Sequence, residues 1–274
     1  MRNSKLFGVL AVLVLTLWSG AMAEDRPPPF LDPARYFSNV YVQSTFSSHD
    51  DGNLITDAAY KHGLHVFQVL GRDVDIYLKT RFLVDTNADF WNNVGEFGVG
   101  MQVRPFEEYG LILLHELLYG VYTREDGGDP NYWAYRAGFA FWQRWGRQPW
   151  EIEKTEFFWP LTGWHEVYAD GFYYNRDDAN LIGNLSWREG LILGKVFGRN
   201  YDVYLAAQAG LDSNVDFWNN YVQGGPGIRF SPFQSLDLNI SFEYFLGRYY
   251  RGDLDGGSQD YADFGVTLAF YHEF

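Results

Sequence analysis

Cysteine is absent from all 274 residues. That excludes a disulfide framework, a thiolate metal site, a cysteine nucleophile and the lipidated cysteine of a lipoprotein. Basic side chains are scarce as well: 21 Lys and Arg stand against 35 Asp and Glu, a formal net charge of −14, so no nucleic-acid partner is expected. Long apolar runs are missing beyond the N-terminus. The run that exists, Leu6 to Trp18, follows Arg2 and Lys5 and precedes Ala21 and Ala23, which predicts a cleavable secretory signal over residues 1–23. It falls short of the roughly 20 residues that a spanning helix needs. Catalytic constellations are equally sparse. His115 and Glu116 are neighbours, but strand alternation aims them at opposite faces. No His-x-Ser occurs that would suit a lipid-facing hydrolase, and Gly224-Gly225-Pro226-Gly227 follows no strand-to-helix pattern that would cradle a phosphate. The sequence predicts no enzyme.

What the chain does have is aromatic content of 19%, with 20 Tyr and 10 Trp, and a long internal repeat. Residues 40–124 recur without a gap at 167–251, and about a third of the 85 aligned positions are identical. Asp89-Phe90-Trp91-Asn92-Asn93 returns as Asp216-Phe217-Trp218-Asn219-Asn220, a displacement of 127. Gly71-Arg72, Asp75, Tyr77, Pro105-Phe106, Glu116 and Arg124 return at the same distance. One structural unit is therefore used twice.

The period inside each unit is two. Val74, Ile76, Leu78, Phe82 and Val84 alternate with Asp75, Tyr77, Lys79 and Arg81; Leu236, Leu238, Ile240 and Phe242 alternate with Asp237, Asn239, Ser241 and Glu243. Extended segments read near 38–48, 54–70, 73–85, 93–104, 108–122 and 132–145, and adding 127 gives the second set. The second segment of each set slips its alternation near Lys61-His62-Gly63 and Arg188-Glu189-Gly190, where a kink or an extra hairpin would fit. Such alternation serves a soluble sandwich as core and solvent faces, and a barrel as lipid and lumen faces. The aromatic content favours the barrel, whose lipid interfaces are girdled by Tyr and Trp.

The expected fold is all-β: a transmembrane antiparallel β-barrel of about 12 strands, built from two tandem six-stranded repeats over about 38–146 and 164–274, one barrel spanning 38–274. An even count leaves both ends on the periplasmic side. A Pro-rich lead-in, 24–37, contains Pro27-Pro28-Pro29 and Pro33 and precedes the barrel. Short turns at Gly71-Arg72-Asp73, Arg104-Pro105-Phe106 and Gly198-Arg199-Asn200 mark the inner side. The opposite connections gather acids such as Asp50, Asp51, Asp85, Asp89, Asp126, Asp129, Asp177, Asp212, Asp216 and Asp255, an acidic outer rim. Pairs such as Asp85 with Asp89 could hold Ca²⁺, but they lack the ligand density of a defined calcium loop, so no cofactor and no metal site is expected. Gly146 to Gly163 joins the halves and carries Trp150, Phe157, Phe158 and Trp159, suited to the inner lipid interface or to a periplasmic partner.

Alternation aims Asp75, Tyr77, Lys79, Arg81, Glu96, Arg104 and Glu116 into the interior from the first half, and Asp202, Tyr204, Arg229 and Glu243 from the second. Mutual ion pairing could fill a narrow interior with these groups. A hydrated path lined by charges and tyrosines would instead let a polyhydroxylated chain slide past. The Phe90-Trp91 and Phe217-Trp218 pairs fit an outer aromatic girdle or a sugar-stacking platform.

The final strand, in which Phe264, Val266, Leu268 and Phe270 lead to Phe274, resembles the closing strand of bacterial outer-membrane barrels, although His272 stands where an aromatic is usual. The series Tyr204, Asp212, Phe217-Trp218-Asn219-Asn220, Gly225-Pro226-Gly227-Ile228-Arg229 and Glu243-Tyr244 resembles the C-terminal barrel of the bacteriophage adsorption protein A family and is similar to exopolysaccharide export porins. In those families the barrel often follows a periplasmic helical-repeat region, which this sequence does not show. The resemblance implies an outer-membrane channel for export or translocation of surface polysaccharide, working with separate periplasmic export proteins. Its further partners would be membrane lipid, lipopolysaccharide and the barrel insertion machinery. A diffusion porin and a closed structural or adhesion barrel are the alternatives.

Overall fold

The computed structural model describes residues 35–49, 52–87, 92–106, 109–124, 130–146, 162–175, 179–196, 199–214, 219–233, 237–250 and 259–274. The signal region, the lead-in up to residue 34, the joining segment 147–161 and most of the acidic outer connections lie outside the described residues.

The strands are β1 Tyr36–Ser47, β2 Asn53–Val69, β3 Arg72–Asp85, β4 Val94–Val103, β5 Gly110–Tyr122, β6 Asn131–Gly146, β7 Thr162–Tyr174, β8 Asn180–Val196, β9 Arg199–Asp212, β10 Tyr221–Phe233, β11 Asp237–Tyr249 and β12 Asp260–Glu273. Each pairs antiparallel with its sequence neighbours, and β1 pairs with β12 to close the barrel. Phe274 N–H donates to Ser38 O at 2.8 Å in that closing seam. Closure removes both sheet edges and satisfies the ladder internally, which is what a sheet surrounded by hydrocarbon requires.

Period-two patterning decides which face goes where. In β3, Ile76, Leu78 and Phe82 are exposed on the outer wall, while Asp75, Tyr77 and Lys79 between them are buried inside. Leu205 and Trp133 are 66% and 65% exposed on the same outer wall. An apolar outside around a charged inside is the inverse of a soluble protein, and only a lipid surround makes it favourable.

The structure refines the sequence reading in four places. The segments near 54–70 and 180–197 are single strands with no extra hairpin; the slip is a register shift at His65/Phe67 and at Ile192/Gly194, where one added residue bends the strand. The first turn is Leu70-Gly71, with φ of 54° and 76°, a two-residue hairpin one step earlier than expected. Tyr36 and Phe37 already belong to β1, so the lead-in ends sooner. Finally, the displacement of 127 that relates β2 to β8 and β3 to β9 becomes 129 for the last strand. Tyr132 faces Gly120, and Tyr261 faces Gly247.

Candidate functional site: the barrel interior

Strand alternation delivers charged side chains from neighbouring strands to one interior wall. In the first half they converge on Glu116 of β5. Tyr77 OH donates to Glu116 Oε1 at 2.8 Å, Lys79 Nζ lies 3.1 Å from Oε2, and Arg136 of β6 pairs with the same carboxylate. Tyr77 reaches Glu116 by passing over Gly100; a Cβ there would stand 2.3 Å from the phenol ring. Lys61 Nζ caps the other ring face at 4.6 Å, and the Arg136 guanidinium sits 4.6 Å above Phe172. Higher in the wall, Arg81 grips Asp57 through two 2.9 Å bonds and touches Glu96, which also accepts from Tyr132 at 2.8 Å. Asp75 accepts from Gln102 at 2.9 Å and meets His65 Nδ1 at 2.5 Å.

The second half repeats the plan with different charges. Tyr204 OH donates to Glu243 Oε1 at 2.9 Å, over Gly227. Ala206 stands where Lys79 would be, so Glu243 takes its cation from Arg188, at 3.3 Å. Arg229 replaces Gln102 and binds Asp202 at 3.0 Å and Glu166 at 3.4 Å. Arg188 and Arg144 also reach Glu166, at 3.6 and 3.9 Å. Trp164, fully buried, lies beneath Arg229 and Arg144 at 4.3 and 4.7 Å.

Ten of the eleven interior residues expected from the sequence occupy strand positions on the charged face, and they differ in what they line. Tyr77 and Tyr204 are 1% and 4% exposed, so they belong to the wall and not to a wetted surface. Each lies flat over a glycine and is tied to a carboxylate. Arg104 sits at the rim, half-exposed, 3.9 Å from Glu273. Burying so many charges costs desolvation, and their mutual pairing and hydrogen bonds offset it.

The outer-connection motif is described only through its asparagines. Asn93 Oδ1 accepts from Asp85 N–H at 3.1 Å and its Nδ2 donates to Asp85 O, while Asn92 Nδ2 donates to the Asp85 carboxylate at 2.9 Å. Asn220 and Asn219 bind Asp212 in the same way at 3.1 and 2.8 Å. Asp85 and Asp212 thus organise the chain reversal. Asp89, Phe90, Trp91, Asp216, Phe217 and Trp218 lie outside the described residues.

Several solvent-accessible groups on the inner face were not singled out from the sequence. Trp142 and Tyr168 are register partners on β6 and β7, and are 50% and 36% exposed. Tyr168 OH donates to Asp170 at 2.6 Å, and Asn184 Nδ2 donates to the same carboxylate at 2.9 Å. Tyr41, the counterpart of Tyr168 on β1, donates to Gln43 at 2.5 Å. The signal for them was the alternation Tyr41, Gln43, Thr45 in β1, as regular as that of β3 but uncharged.

One outer-wall contact was invisible to a search along single strands. Ser38 Oγ on β1 lies 2.7 Å from His62 Nδ1 on β2, with Tyr60 OH 3.4 Å from the hydroxyl. Tyr36 stacks on the imidazole, and the Ser38 N–H is spent on Phe274 O. Ser38, His62, Tyr60 and Tyr36 thus form a polar and aromatic cluster on the outer wall.

The fold and the inverted polarity define the class: a transmembrane β-barrel of the bacterial outer-membrane kind. Solved structures that it is similar to include the β domain of the Bordetella autotransporter Brka, at 14% identity over 88% of this chain and 99% of that one, TM-score 0.40. Others are the KdgM porin in complex with disordered oligogalacturonate, at 5% identity over 85% and 98%, TM-score 0.36, and an outer membrane channel from Pseudomonas putida F1, at 11% over 93% and 98%, TM-score 0.36. No protein-family model and no curated protein matches the sequence.

Proposed function

We propose that the chain is an outer-membrane channel for surface polysaccharide, acting as a passive conduit without catalytic chemistry or cofactor of its own. The observation that carries this reading is the division of the interior. The charges around Glu116, Glu166 and Glu243 are spent on one another, whereas the wetted positions hold Trp142, Tyr168 and Asn184 beside the Asp170 carboxylate. Aromatic faces stack on the apolar faces of sugar rings, and amide and carboxylate oxygens exchange hydrogen bonds with hydroxyls. Such a wall guides a polyhydroxylated chain without holding it. Lipopolysaccharide would surround the acidic outer rim, and separate periplasmic export proteins would deliver the polymer.

Deletion of the gene, complemented by wild type or by a Trp142→Ala, Tyr168→Ala double variant, tests the reading. Surface glycan should vanish in the deletant, return with wild type, and return weakly with the variant at equal barrel abundance. Unchanged glycan in the deletant would overturn it. Uptake of small solutes lost together with unchanged glycan would point instead to a diffusion porin.

A further inference from the structure

A groove of about 880 Å³ crosses the outer wall over β7–β12. It exists because two outward positions lack bulk. Gly163 leaves open space, since a Cβ there would meet nothing nearer than 3.9 Å. Pro226, in the middle of β10, brings no N–H to the ladder, and the register with β11 passes from Gly224↔Leu246 to Gly227↔Glu243. In the first half the bulkier Tyr36 and Val99 occupy the corresponding places.

The groove is apolar along its length and polar at one end. Leu205, Ile228, Tyr244, Phe242 and Phe264 line it, all between 44% and 66% exposed. At the foot stand His165 of β7 and Glu189 of β8, with Nδ1 3.6 Å from Oε1 and both side chains about half exposed. His165 is three residues into β7 and is the register partner of Glu189, on the part of the outer wall nearer the end of the barrel that carries the Leu70-Gly71 turn. Two polar groups of opposite character thus sit at the inner interface, beneath a slot that only hydrocarbon would fill.

We propose that the groove binds one glycerophospholipid of the inner leaflet, its acyl chain lying along Leu205 and Tyr244 and its phosphoethanolamine head on His165 and Glu189. The phosphate accepts from the imidazole N–H, and the ammonium pairs with the Glu189 carboxylate. A glycerol headgroup offers no cation to Glu189 and is disfavoured. The site lies on the outer wall, so it holds whether or not the interior conducts.

The barrel, reconstituted in nanodiscs of equal phosphatidylethanolamine and phosphatidylglycerol with matched acyl chains and then released into mild detergent, is examined by native mass spectrometry. Wild type should retain one phosphatidylethanolamine, favoured about threefold over phosphatidylglycerol, the ratio that a half-exposed charge pair supports. Gly163→Tyr with Pro226→Val should release the lipid. Glu189→Gln, which leaves the strands untouched, should keep a lipid but lose the headgroup preference. A wild-type barrel without lipid, a filled groove that retains the same lipid, or an unchanged preference in Glu189→Gln would each overturn the proposal.

Discussion

Tyr77 and Glu116 are joined by a 2.8 Å hydrogen bond that passes over Gly100, and the carboxylate so held is the hub for Lys79 and Arg136. The same arrangement joins Tyr204 to Glu243 over Gly227, but with Arg188 as the cation. The two hubs are therefore alike in geometry and unlike in charge, which makes their energetic consequences separable.

Glu116→Gln should lower stability by about 3–5 kcal/mol, because it leaves two buried cations without their carboxylate. Glu243→Gln should cost less, since Arg188 is 24% exposed and keeps Glu166. Urea unfolding in lipid vesicles, followed by tryptophan fluorescence, gives the order directly; equal losses would contradict the asymmetry.

Gly100→Ala should destabilise by about 1–3 kcal/mol through overpacking, because the methyl group would displace the Tyr77 ring. Gly183→Ala, whose Cβ would approach only Asp170 O at 3.4 Å, is the control and should be near neutral. The same unfolding measurement distinguishes them.

Much of this could be read from the chain, and the limits have physical causes. Twelve strands, their bounds to within a few residues, and the inward set around Glu116 followed from period-two alternation, because one face of each strand must meet lipid. Alternation reports direction and not depth. It could not tell that Tyr77 would be packed on Gly100 while Tyr168 would stay wetted, since that depends on which glycine lies opposite on the next strand. Nor could it reveal the Ser38–His62 contact, which is set by register between strands.

Asn93→Ala should cost about 1–3 kcal/mol, since Asp85 N–H loses its acceptor in a buried site. The outer connection that follows Asp85 should then be cut faster by protease added to intact proteoliposomes, and Asn220→Ala should do the same after Asp212. An unchanged cutting rate would show that the asparagines do not set the chain reversal.

The claim that matters most is that the interior conducts and engages sugar through Trp142 and Tyr168. Planar-bilayer recording of the refolded barrel, with a neutral oligosaccharide added to one side, tests it most directly. Steady single-channel conductance should appear, with brief sugar-dependent blocks that become shorter in Trp142→Ala and Tyr168→Ala. A folded barrel with no conductance, or blocks unchanged by both substitutions, would contradict the account.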